Sequence, residues 1–229
     1  MQHQLPTPPN SPIPPCSEIR RQLRDLRVES EPKLPQHKWI FPQDRIRRLF
    51  TDRNVRSLLG CHCSRCSNQR HVQQITDPAP YVFRVLGDYS NTRHGRSTWV
   101  ILLALLVFIE CPALIYTFIR KDCEDQLFIA QTAIFTSEHV RKTFWHQFSS
   151  SDVEEYADKF HWARYQFAIP HMNDDPYEEY PSSVILPFVN ERRLGKIAAT
   201  GEIISEGHFG DVYAFDILDE YCHFTVSFL

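Results

Sequence analysis

Between Trp99 and Ile109 the chain runs through eleven apolar residues without a break, and no other stretch limits its folding as strongly. Such a run has to leave water, either inside a bilayer or inside a protein core. Extended to Ile119, it is just long enough to cross the hydrocarbon layer. Its thirteen Leu, Ile, Val or Phe residues, at roughly −0.3 to −0.6 kcal/mol each, outweigh one central glutamate at roughly +3 kcal/mol. Position argues the other way. Glu110 and Pro112 fall where the bilayer centre would lie, and Pro112 divides the run into two pieces of a length suited to a soluble core. Arg93 and Arg96 on one flank and Arg120 and Lys121 on the other assign no orientation. A buried helix pair is expected, with a single membrane-anchoring helix over 99–119 as the alternative.

Order is distributed unevenly around that run. Sixteen prolines stand against seven glycines, while a hydrophobic fraction of 42% in 229 residues is enough for one large or two small cores. Residues 1–38 read as a disordered, Pro-rich and basic tail. Its first part, MQHQLPTPPNSPIPPCS, favours extended, solvated chain, and Thr7-Pro8 and Ser11-Pro12 would suit proline-directed kinases. Ile19, Leu23 and Leu26 follow at helical spacing among Arg20, Arg21, Arg24 and Arg27, which predicts a short, fraying amphipathic helix. From Glu18 to His71 there are thirteen Lys or Arg against six Asp or Glu, a local excess of 13 − 6 = +7 in a chain of net charge −3. The expected state is a solvated basic face with no nucleic-acid partner.

Residues 39–172 read as a mainly helical leader domain. Asp44 heads a helix with Ile46, Leu49 and Phe50, and Gly60 ends another with Val55, Leu58 and Leu59. Next come Cys61, Cys63, Cys66 and, five residues on, His71. Zinc takes four sulfur or imidazole ligands in a tetrahedron, and Cys63-x-x-Cys66 supplies two from one turn. These four are the zinc candidates. A structural site usually draws a second pair from a separate knuckle, and no second Cys-x-x-Cys exists, so free thiols without zinc are expected. Ser149 to Asp152 signals another helix start, with Val153, Tyr156 and Phe160 on the helix. Trp162 to Pro170 reads as a strand or extended leg, its aromatic residues belonging to the core. Residues 173–182 form an acidic, proline-containing linker. The odd count of seven cysteines, with no apolar leader after Met1, points to a reducing compartment, cytoplasmic or nuclear.

Residues 183–229 contain Ser205-Glu206-Gly207-His208-Phe209-Gly210-Asp211-Val212-Tyr213, then the alternating Ala214 to Ile217. Glycines without a β-carbon let backbone N–H groups approach phosphate oxygens. Leu194-Gly195-Lys196 stands ten residues upstream. Either Ala199 to Ser205 is the strand before the loop, or 197–206 is an insertion, whose removal would leave Leu-Gly-Lys-Gly-His-Phe-Gly-Asp-Val-Tyr.

This segment resembles the glycine-rich loop and second strand of the protein kinases. With Trp39–Pro42, Glu110 to Ile115, Trp162–Pro170 and Ile185–Phe188, the chain is similar to fungal protein-kinase-like proteins that carry a helical leader. The resemblance implies a parent that transfers phosphate from ATP to Ser or Thr. It also implies ATP contacts at Gly207, Phe209, Gly210 and Val212. The third-strand lysine, catalytic aspartate and metal aspartate of that family have no counterparts here. From 197 to 229, Glu202, Glu206, Asp211, Asp216, Asp219 and Glu220 face no Lys or Arg, so phosphate would be repelled. The expectation is therefore a truncated, inactive kinase-like protein with no catalytic residues, to which ATP and Mg do not bind. The alternatives are an interaction or scaffold protein with an unknown protein partner, or a membrane-anchored one. The expected class is α+β: the helical leader followed by an incomplete kinase N-lobe hairpin, with a disordered N-terminus.

Overall fold

A computed structural model of the chain describes residues 14–34, 37–87, 98–130, 135, 137–145, 150–172, 184–194, 196–197, 203–204 and 212–222. At its centre lies helix α6, Val100–Phe108, whose residues from Val100 to Val107 are all buried. Leucine and alanine favour the helical backbone, and a helix apolar on every side has to be surrounded by protein. Around it pack α1 (Pro15–Asp25), α2 (Gln43–Leu49), α5 (Ala79–Leu86), α8 (Asp125–Ile129) and α10 (Ser150–Phe167). Helices α3 (Asp52–Leu59), α4 (Ser64–Val72), α7 (Ile115–Arg120) and α9 (Ser137–Trp145) complete the helical body.

Both ends of α6 are closed by polar groups. At the start, the fully buried Asp125 carboxylate accepts hydrogen bonds from Thr98 Oγ1 (2.7 Å), Ile101 N (3.0 Å) and Leu102 N (2.9 Å). Burial pushes its pKa up to about 6, and the backbone donors Ile101 and Leu102 and the Thr98 hydroxyl oppose that rise. At the far end Glu110 takes a left-handed φ of 69°. Its N–H reaches Val107 O at 3.2 Å while Cys111 N reaches Leu106 O at 2.8 Å, a Schellman closure. Pro112–Leu114 then makes a 3-10 turn into α7. The stretch 99–119 is thus two short buried helices. Among the described residues no helix is long and apolar enough to cross a membrane.

Two local expectations are corrected. The disordered tail drawn to residue 38 does not extend over 15–34, and residues 1–13 lie outside the described part. Pro15 opens α1, where its fixed φ and missing N–H cost nothing, and Ile19 and Leu23 are buried against the core. Beyond it, β1 (Val28–Leu34) pairs antiparallel with β2 (His37–Ile40). The second correction concerns Trp162 to Phe167, which continue α10 rather than forming a strand. Val153, Ala157, Phe160, Ala163 and Phe167 recur at intervals of three or four and are all buried, so the helical stripe overrides the local alternation. Phe160 stacks on Phe118 and Phe135 and meets Phe128 edge-on.

The strand-bearing end comes next in the chain. Strands β3 (Phe188–Leu194) and β6 (Val212–Ile217) pair antiparallel, with Leu194 opposite Val212 and Phe188 opposite Ile217. Between them, β4 (Lys196–Ile197) pairs with β5 (Ile203–Ile204). After β6, a 3-10 turn at Asp219–Tyr221 seats on the start of α2. Helix α2 begins after Pro42, which has no side-chain donor or acceptor to close it. Instead Gln43 N donates to Tyr221 Oη at 3.0 Å and Asp44 N donates to Glu220 Oε2 at 2.7 Å. Tyr221 is buried with Ile40, Tyr165, Ile169 and Ile185 in a second, small apolar cluster. The mainly helical body and the small antiparallel ladders make the fold α+β. The acidic linker expected at 173–182 lies outside the described residues.

Candidate metal centre

Helices α1, α3 and α4 bring four cysteines to one point. Cys16 is the second residue of α1, directly behind Pro15. Helix α3 stops at Leu59, and the chain reverses through Gly60, with Cys61 N bonded to Leu58 O at 3.2 Å. A β-carbon on Gly60 would stand 3.0 Å from Arg56 O, so the close turn suits glycine. Arg70 Nη1 holds Leu59 O at 2.6 Å, folding α4 back over the end of α3. Cys63 then occupies the position that caps α4, and Cys66 lies in its first turn.

The sulfur atoms of Cys16, Cys61, Cys63 and Cys66 all lie within 4.8 Å of one another. Cys16 Sγ is 3.6 Å from both Cys63 Sγ and Cys61 Sγ. Four sulfurs at about 2.3 Å from one tetrahedral zinc would be about 3.8 Å apart, so the spacing suits one ion between them. Cys61 and Cys66 are buried, and Cys16 and Cys63 are half-buried.

Electrostatics within the cluster are divided. Burial, then hydrogen bonds with Cys61 and Cys63, push the Cys16 thiol up to about 11. Burial chiefly raises Cys66 as well. Burial also opposes the Cys63 thiolate, but the backbone N–H of Cys66 and the thiols of Cys66, Cys16 and Cys61 bring its pKa below the ordinary value. Such an N–H to sulfur bond across Cys-x-x-Cys is what a metal-bound thiolate uses. Beside the cluster, Arg20 from α1 and Arg65 from α4 both pair with the Glu110 carboxylate. Gln69 Nε2 donates to Glu110 O at 3.1 Å.

Of the four residues singled out in the sequence, the structure unites Cys61, Cys63 and Cys66. His71 sits exposed near the end of α4 and is not in the group. The fourth member is Cys16, 45 positions before Cys61. The spacing of Ile19 and Leu23 on α1 was the available clue, since a docked face would carry Cys16 inward. Elsewhere, Cys111 and Cys123 are buried apart from the cluster and Cys222 is exposed.

The ATP-contact candidates Gly207, Phe209 and Gly210 lie outside the described residues, and Val212 is the first residue of β6. Of the span 197–206, read as a strand or as an insertion, only Ile197, Ile203 and Ile204 are among the described residues. Leu194 rather than Ile204 stands opposite Val212, and Ile203–Ile204 pairs back onto Lys196–Ile197. Compared with known proteins, the chain matches no family model, no curated sequence and no solved structure.

Proposed function

We propose that this chain is a non-catalytic, kinase-like scaffold: a helical body that carries the opening hairpin of a protein-kinase small lobe and offers it to a protein partner. The observation that carries this reading is the pairing of Leu194 with Val212. It sets Leu194 at the end of β3 opposite Val212 at the start of β6, with Arg193 opposite Tyr213, and the kinase motif likewise separates its leucine and valine by one short loop once 197–206 is set aside. The turn at Asp219–Tyr221 supports the scaffold part, because Glu220 and Tyr221 tie the end of the hairpin to α2. Phosphate transfer is not its work. From 197 to 229 the sequence has six carboxylates and no Lys or Arg, and Arg192 on the facing strand is already paired with Asp216, which leaves little positive charge for a γ-phosphate.

The test is calorimetric titration of the purified chain with Mg·ATP, paired with an assay for transfer of labelled γ-phosphate to casein. Neither saturable heat up to about millimolar nucleotide, a concentration equivalent to about −4 kcal/mol of binding, nor labelled product is expected. Micromolar binding or measurable transfer would remove the non-catalytic reading.

A further inference from the structure

We propose that Cys16, Cys61, Cys63 and Cys66 together bind one zinc ion, a structural site that fastens α1 to α3 and α4. Three observations converge. First, the four sulfurs share one centre within 4.8 Å, a spacing that a single tetrahedral ion satisfies and that larger metal clusters exceed. Second, two helix starts meet there, Cys16 in the first turn of α1 and Cys63 capping α4, so positive helix ends face the sulfurs. Third, Arg20 and Arg65 flank the group with Glu110 between them, a net charge of +2 − 1 = +1 at its edge.

The chemistry balances without any change of oxidation state. Each of the four thiols releases one proton as its sulfur bonds to the ion, and four zinc–sulfur bonds leave a centre of charge 2 − 4 = −2. The nearby excess of +1 offsets half of that charge. Without the ion, four thiols would be crowded within 4.8 Å of one another, two of them buried. All four ligand positions are taken by protein, which is the closed arrangement of a structural rather than a catalytic zinc. No residue beyond Glu110 is involved, so the inference stands apart from the kinase-like reading.

The experiment uses the full chain expressed in zinc-supplemented medium and purified without chelator. Elemental analysis and native mass spectrometry are expected to find one zinc per chain. His71→Ala should retain it and Cys16→Ser should lose it. Because Cys16→Ser could also unfold the chain, a second measurement uses the natural sequence. Thiol alkylation is mapped by mass spectrometry before and after a strong chelator. Cys16, Cys61, Cys63 and Cys66 should label only after chelation, whereas exposed Cys222 labels in both. Absence of metal, iron in place of zinc, disulfides among the four, or equal labelling with and without chelator would each overturn the proposal.

Discussion

Around α6 burial is complete over eight consecutive residues, Val100 to Val107, and that core extends to the aromatic group of Phe118, Phe128, Phe135 and Phe160. The strand-bearing end is closed instead by five buried residues, Ile40, Tyr165, Ile169, Ile185 and Tyr221. Polar contacts matter differently in the two regions. In the hub they finish a helix that burial already holds, as Asp125 does for α6. At the strand end they form much of the attachment itself, since Tyr221 and Glu220 supply the start of α2 with acceptors that Pro42 lacks. A region with large buried apolar area stays closed even when losing a polar contact costs it more, whereas a small cluster opens locally after a smaller loss.

The sharpest way to break this comparison is to excavate the hub. Phe160→Ala removes a ring that touches three other phenylalanines and should cost about 3–5 kcal/mol, measured by urea denaturation. A cost no larger than that of a strand-end change would erase the distinction.

Second in size is Asp125→Ala, which leaves two buried N–H groups at the start of α6 without their acceptor, at about 2–3 kcal/mol. Asp125 also predicts a pH dependence. Its folded pKa, about 6, lies above the ordinary 3.8. Between those values the folded state binds more protons than the unfolded state. Stability from this group therefore falls as pH rises across that window and is level above it. Asp125→Asn should flatten that part of the stability-against-pH curve, and an unchanged slope would assign it elsewhere.

At the strand end, Tyr221→Phe keeps the ring but strips the acceptor from Gln43 N, at about 1 kcal/mol. Hydrogen exchange should show faster opening at 188–194 and 212–222 with α6 unchanged. Equal acceleration in both regions would mean that the molecule opens as one unit. The smallest effect is a gain. Gln74 follows α4 in the left-handed region at φ 56°, where glycine is at ease, so Gln74→Gly should stabilise by about 0.5–1 kcal/mol, read as a rise in Tm.

Much of the helical body could be read from residue spacing. The run at 99–119, the α3 stripe of Val55, Leu58 and Leu59, and the α10 start near Ser150 all follow local periodicity. Helix ends were harder to read. Glycine is the usual stop signal, yet three helices close on Glu110, Gln74 and Asp122 in the left-handed conformation. For Glu110, the pairing with Arg20 and Arg65 offers a reason that no short window contains. The metal-site candidates were three-quarters legible, since Cys61, Cys63 and Cys66 are neighbours in the chain. His71 was the wrong fourth partner to consider because sequence proximity does not give direction along a helix.

By itself, the order of residues determined that 99–119 would leave water, and Pro112 made two pieces the expected form. Eleven apolar residues demand burial, and a proline cannot continue the helix that carries them. Only the folded chain decided that Cys16 would join Cys61, or that Tyr221 would complete a helix beginning 178 positions earlier. Periodicity records which face of an element seeks cover. Which distant segment provides it depends on the shape left after the core has packed, and that is a property of the whole chain.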